Sequence, residues 1–264
     1  MAKLDSAFKF TGSLGDVTAV KRHDSDEYHL QYKGGPTKEQ IKTLPNFART
    51  RENNSEFAGV AATVRYLRSS LHTLRGCEDS RVTSRFTKIC KSLQLADTDH
   101  GRGERAVLFS KFGKWLKGFE LNKNVSLNSA IQIPEFTISK QNLSARIVLP
   151  ELIPGVNFSN PWRQPNYRVV ALLSALPDMI YSEIGYTPAN STINFDTAKT
   201  FYATNFFGSN LVFNGATIDL QLNGIVPDAS TSLILAVGVQ FANEQPAGTT
   251  LVKRAACGSI LSIV

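Results

Sequence analysis

Asp97, Asp99 and His100 place two carboxylates and an imidazole within four residues, a donor set of the kind that ligates divalent metals. His23, Asp24, Asp26, Glu27 and His29 form a second cluster of the same type. The first falls in a loop expected between helices and the second at an expected hairpin tip, and solvated polar turns account for both. A glycosidase needs two carboxylates in one cleft. Glu135, Glu151, Asp178 and Glu183 are the nearest supply, and no spacing unites them. Cys257, in Ala-Ala-Cys-Gly on a strand-like run, reads as a packed thiol. No G-x-x-x-x-G-K-[ST], G-x-S-x-G or H-E-x-x-H occurs, and Gly101-Arg102-Gly103 lacks a strand–turn–helix setting. The expectation is therefore a protein that is not an enzyme, with no catalytic residue, cofactor or metal.

Basic side chains are the other chemistry available. Arg65, Arg68, Arg75, Arg81, Arg85, Lys88 and Lys91 lie on the polar faces of two expected helices. Arg102, Arg105, Lys111, Lys114 and Lys117 follow, interleaved with Phe109, Phe112 and Trp115. Such a stripe neutralises phosphates, and aromatic side chains stack on bases. The aromatics also fall at core spacing, so a solvated face or an acidic subunit surface competes with nucleic acid as the partner. Net charge is +7 over 264 residues. Residues 1–123 hold 22 Lys and Arg against 14 Asp and Glu, whereas residues 124–264 hold 7 against 8. The basic excess belongs to the first half.

The elements that would position these residues fall into three parts. Residues 1–50 read as a strand-forming arm: Ala7–Phe10, a turn over Gly12–Asp16, then Val17–Val20. A run follows in which Tyr28, Leu30 and Tyr32 alternate with His29, Gln31 and Lys33. Phe8, Phe10, Leu14, Val17, Tyr28, Leu30 and Tyr32 are its apolar positions, too few for an independent core. Residues 51–118 read as a basic helical segment. One helix starts near Glu56 with a stripe of Phe57, Val60, Ala61, Val64, Leu67, Leu71 and Leu74, and Gly76 stops it. A second helix starts near Asp79, with Val82, Phe86, Ile89, Cys90 and Leu93. A third stretch runs from Leu108 to Phe119. Residues 119–264 read as an antiparallel Greek-key β-sandwich, its strand-like runs separated by turn signals and including Val125–Ile133 and Thr192–Phe195. The fold class expected is α+β.

Cys77, Cys90 and Cys257 are odd in number and fit no metal or redox spacing, which suits a reducing compartment. No apolar run is long enough to span a membrane, and the first residues begin no signal-type apolar stretch, so a cytoplasmic protein is expected.

The order Gly12, Gly15, Lys33-Gly34-Gly35, Pro36-Thr37-Lys38-Glu39-Gln40, Asn46-Phe47-Ala48, Arg49, Arg51 and Asn53-Asn54 leads into the long helix. Over roughly residues 8–75 it resembles an uncharacterised bacterial family that joins a small hairpin, an arginine-rich helical segment and an all-β C-terminal half. The resemblance implies that architecture and no activity. The function expected is a structural, self-assembling protein that forms a homo-oligomeric filament, tube or shell, its arm docked on a neighbouring subunit. The alternative is a nucleic-acid-binding or packaging protein that uses the basic helices. A third class, a carbohydrate-binding sandwich, would use Trp162, Tyr167, Tyr181 and Tyr186 as a sugar platform.

Overall fold

The computed structural model describes residues 2–3, 10–21, 26–133, 135–246 and 248–264. Chain contacts divide it into two units, Met1–Arg51 and Glu52–Val264. The expected strand Ala7–Phe10, apart from Phe10, lies outside the described residues, as do Phe8, His23 and Asp24.

The first unit is a four-stranded antiparallel sheet made of β1 (Ala2–Lys3), β2 (Gly12–Leu14), β3 (Val17–Lys21) and β4 (Tyr28–Tyr32). The strand order is β1-β4-β3-β2. Gly12–Leu14, expected as part of a turn, is a strand. The turn narrows to Gly15-Asp16, where Gly15 takes φ +56°, a conformation that glycine adopts without strain. Past Gly34-Gly35-Pro36, Thr37 opens α1 (Lys38–Thr43) with a capping box. Its hydroxyl accepts from Gln40 N at 3.2 Å, and the Gln40 side chain accepts from Thr37 N at 2.8 Å. Arg51 donates to the carbonyls of Ile41 and Leu44, closing the other end.

The next helix, α2, spans Ala48–Ser70, starting eight residues before the expected Glu56. Only Pro45, in a short 3-10 turn over Pro45–Phe47, interrupts the chain ahead of it. The helix also ends earlier than Gly76. A 3-10 turn, His72–Cys77, continues from it and delivers Leu74 and Cys77 to the core. Next come α3 (Val82–Leu95), α4 (Phe109–Phe112), a 3-10 turn Gly113–Leu116, and α5 (Leu127–Ala130). The last of these replaces the strand expected over Val125–Ile133. Ser126 caps it, its hydroxyl accepting from Ser129 N at 3.2 Å. Thr192–Phe195 is likewise no strand. Asn190 Oδ1 accepts from both Thr192 N and its hydroxyl and holds a turn there.

The strands that follow are β5 (Glu135–Ser139), β6 (Ser144–Leu149), β7 (Asn166–Pro177), β8 (Met179–Ser182) and β9 (Gly185–Pro188). They are completed by β10 (Lys199–Ala203), β11 (Phe207–Gly208), β12 (Ala216–Gln221), β13 (Thr231–Gln245) and β14 (Gly248–Ile263). A five-stranded sheet has the order β10-β7-β13-β14 with β11 also on β7; a three-stranded sheet has the order β12-β6-β5; β8 and β9 form a hairpin. All these strand pairings are antiparallel. The protein is α+β, and no helix among the described residues is long and apolar enough to cross a membrane.

The central strands of the five-stranded sheet, β7 and β13, are buried on both faces. Val169, Ala171 and Leu173 of β7 and Leu235, Val237 and Val239 of β13 share one core with Ile147 of β6 and Ile218 of β12. Val170, Leu172, Ile234, Ala236 and Ile260 share a second core with Val60, Val64, Leu67, Phe86 and Cys90 of the helices. Helices and strands of residues 52–264 thus share cores. Residues 118–121 lie along β14: Leu121 N donates to Gly258 O at 2.7 Å and Ile260 N to Phe119 O at 3.0 Å.

The helical layer comes close to the sheet at Cys77. Gly238 and Gly258 face each other across β13 and β14. A Cβ on Gly238 would sit 2.6 Å from Cys77 Sγ, and one on Gly258 would sit 3.2 Å from Cys77 Cβ. Gly238→Val is therefore expected to destabilise the protein by about 1–3 kcal/mol through overpacking. Gly101→Ala, where a Cβ meets nothing within 4 Å, is expected to stay within about 0.5 kcal/mol of the parent. Urea midpoints of the two variants check this.

Candidate functional site

Two regions hold the residues that the sequence nominates. In the first unit, Leu14 at the end of β2 is 71% exposed and Tyr32 at the end of β4 is 82% exposed. Phe10 is also exposed, while Val17, Tyr28 and Leu30 are half-buried. Among the described residues of this unit only Ala19, at the centre of β3, is buried. Its sheet ends in β2 on one side, paired with β3 alone.

The basic residues divide into two groups. Arg68 donates to Glu78 Oε2 at 2.7 Å. Arg85 pairs with Asp79 Oδ2 at 2.7 Å, donates to the carbonyls of Glu120 and Leu121, and stacks 4.8 Å over Phe119. Lys91 donates to Glu56 and Gln94. These three brace the helices on one another and on residues 120–121. Arg65, Arg75, Arg81 and Lys88 are exposed, with the Arg65 guanidinium 5.1 Å over the Tyr66 ring.

Glu56 is the best-built polar centre in the helical layer and was not nominated by the sequence. It faces inward from α2. Its Oε1 accepts from Gly103 N at 3.0 Å and lies 3.6 Å from Arg105, and Oε2 accepts from Lys91. Gln94 donates to Glu56 O and Arg105 O at 3.1 Å, and the Tyr186 hydroxyl donates to Arg105 O at 2.9 Å. The Tyr186 ring fits because residue 59 is glycine, whose missing Cβ would lie 2.6 Å from it. Burial alone would raise the Glu56 pKa. The Lys91 hydrogen bond, the Gly103 N–H and the charges of Lys91 and Arg105 outweigh burial and hold the carboxyl below its usual range.

A signal for Glu56 was present. The inward stripe of α2 is Glu56, Val60, Thr63, Val64 and Leu67, so a glutamate stands in phase with the apolar residues. Of the expected stripe, Val60, Val64, Leu67, Leu71 and Leu74 are buried, whereas Phe57 is 62% exposed and Ala61 is exposed.

Asp97 Oδ2 binds His100 Nδ1 at 2.7 Å and accepts from Ala106 N at 2.7 Å, while Asp99 pairs with Lys111. This cluster orders its own loop. His29 and Glu27 lie 3.5 Å apart. Asp178 is buried and accepts from the backbone and hydroxyl of Ser110, whereas Glu135, Glu151 and Glu183 are exposed. Cys257 is fully buried, and burial pushes its thiol up to about 12. Tyr167 is fully buried against Phe158 and Phe241, which removes it from any sugar platform.

No protein-family model matches this chain, and no curated protein or solved structure matches it.

Glu56→Gln is expected to destabilise the protein by about 1–3 kcal/mol at neutral pH. That is below the full cost of orphaning a buried charge, because Lys91 and Arg105 keep part of their water. A carboxyl with a depressed folded pKa contributes stability above its unfolded value, here 4.5, and loses it as pH falls through the folded value. The gap between parent and variant therefore closes below pH 4.5, as denaturation midpoints across pH 3–7 would show.

Proposed function

We propose that this is a structural protein whose copies assemble through the first unit. The observation that carries this reading is the burial of Ala19 alone among the described residues of a four-stranded sheet. A small sheet needs an apolar face covered to be stable, and this one presents Leu14 and Tyr32 to solvent. Its outer strand β2 carries backbone donors and acceptors that another chain can pair with. A second copy is the proposed occupant. Strand addition in a head-to-tail sense yields filaments, tubes or closed shells.

The second unit, with cores on both faces of its main sheet, is the rigid body in this reading. Its two facing sheets are read as a Greek-key sandwich, supported by the crossings of the chain between them from β6 to β7 and from β12 to β13. The assembly is read as cytoplasmic, or released from the cytoplasm as a particle.

Negative-stain microscopy and light scattering of nuclease-treated protein at high salt test the proposal. Regular particles far above the 29.0 kDa chain mass are expected, and Leu14→Asp with Tyr32→Asp should return the protein to monomer. A monomer at high concentration, or an assembly indifferent to these substitutions, rejects it.

A second reading, nucleic-acid binding or packaging, is favoured by the exposure of Arg65, Arg75, Arg81 and Lys88. Glutamates at these four positions should abolish binding to duplex DNA or RNA and flatten its salt dependence. Filter binding from 50 to 300 mM salt checks this, and unchanged binding refutes it.

A further inference from the structure

The five-stranded sheet ends in β10, which pairs with β7 alone. Ala175 N donates to Ala198 O and Thr204 N to Val169 O, both at 2.9 Å. Residues that bond across an antiparallel ladder alternate along each strand. Residues 198, 200, 202 and 204 therefore serve β7, and residues 199, 201 and 203 turn their backbone groups away from it. Lys199 N is taken by Thr197 O at 2.7 Å. The N–H and C=O of Phe201 and Ala203 have no partner among the described residues. Phe201 is 55% exposed and Tyr202 50%. Elsewhere in this unit residues 118–121 lie along β14, and β5 and β12 carry the exposed carboxylates of Glu135 and Asp219. Charges of that kind guard an edge, whereas an apolar edge with free backbone groups invites another strand.

The outer strand of the first unit matches this edge. Lys33 N donates to Asp16 O at 2.7 Å, so residues 16, 18 and 20 serve β4, and residues 17 and 19 serve β2. Their partners Leu14 and Gly12 therefore face β3. By the same alternation Thr11 and Ser13 turn their backbone groups to the open side. Each edge thus offers two residues, two positions apart, with a donor and an acceptor on each. Charge selects the direction. Asp16, exposed, lies just past Leu14, and Lys199, half-buried, opens β10. The Lys199 ammonium spends one donor on Ser69 O at 3.0 Å and keeps others free. Antiparallel pairing with Ser13 opposite Phe201 brings Asp16 to Lys199. Parallel pairing sends it to the far end of β10.

The geometry points to β10 as the acceptor edge for β2 of a neighbouring copy, so that the first unit of one chain extends the five-stranded sheet of the next. This rests on assembly through the first unit and names the surface that the unit meets. Ser13 exchanges both backbone bonds with Phe201, and Thr11 both with Ala203. Leu14 then stands opposite Thr200 and diagonal to Tyr202, within reach of its ring. Gly12, opposite Tyr202, leaves room for that ring. Donor and acceptor edges belong to different strands, so the contact is heterologous and repeats from chain to chain.

Disulfide trapping on the full chain tests the inference. Leu14→Cys and Thr200→Cys put thiols at a directly opposed pair that does not bond across, within reach of a disulfide. The native Cys77, Cys90 and Cys257 are buried. A mixture of the two single variants, mildly oxidised, should give a linked pair with one chain of each kind, and either variant alone should give none. Phe201→Asp added to the Thr200→Cys chain should abolish the link. In the parent chain it should break the particles down to monomers with little change in unfolding midpoint, because the position is exposed. Particles that persist without the mixed link, or that ignore Phe201→Asp, overturn β10 as the acceptor and leave assembly through the first unit standing. So does Leu14→Cys linked to itself, which marks β2 against β2. A parent chain that light scattering finds monomeric overturns both.

Discussion

The pairing of β7 with β13, an apolar wall buried on both sides, is the constraint on which residues 52–264 depend. Twelve residues of β7 run against β13 in continuous antiparallel register, from Pro177 opposite Thr231 to Asn166 opposite Ala242. Odd-numbered residues of both strands serve one core and even-numbered residues the other. Antiparallel sheets commonly leave one face to water. This one does not, so neither the helices nor the three-stranded sheet can leave without stripping an apolar face.

The helical layer is held by shape first and by charge second. Cys77 reaches the sheet because residues 238 and 258 lack side chains, which fixes where the turn after α2 can sit. The ion pairs then tie the remaining pieces to that anchor. Arg85 bridges α3 to Asp79 and to residues 120–121, and Glu56 gathers α2, α3 and the loop at Gly103 around one carboxylate. Arg68, Arg85 and Lys91 read as a basic face in sequence. In the fold they neutralise buried or half-buried acids, which is the usual condition for an acid to stay in such a place.

The strands were the more legible part of this molecule. Runs such as Val169–Leu173 and Leu233–Val237 have no polar residue to break them, and their ends are marked by proline or glycine. Their lack of alternation is what cover on both faces produces, although the sandwich expected from the sequence did not include the helical cover. Val125–Ile133 misled because its apolar residues suit a strand, while Ser126 supplies a local helix cap that short-range pattern cannot weigh against it. Thr192–Phe195 misled in the same way, through the Asn190 turn. Residues brought together from distant parts of the chain were less legible. Glu78, Asn122, Trp162 and Arg254 are separated by up to 176 positions and meet only because the turn ahead of α3 and β14 pack side by side. No spacing rule joins them. Glu56 was readable in principle, as a charge in phase with an apolar stripe.

The two-faced wall also sets the order in which this chain can complete itself. Helix α2 ends at Ser70, but β13, whose even-numbered residues it covers, begins at Thr231. At ribosomal rates of about 5–20 residues per second, some 8–32 s pass between the synthesis of the two. Until then Val60, Val64 and Leu67 can meet only the β7 part of their core, Val170, Leu172 and Leu176, and not the completed wall. The same holds for the inward residues of β6, which wait for β12 and β13. Folding is thus deferred to the last strands, and the newborn chain carries two sticky surfaces for most of its synthesis, the circumstance in which chaperones engage a polypeptide.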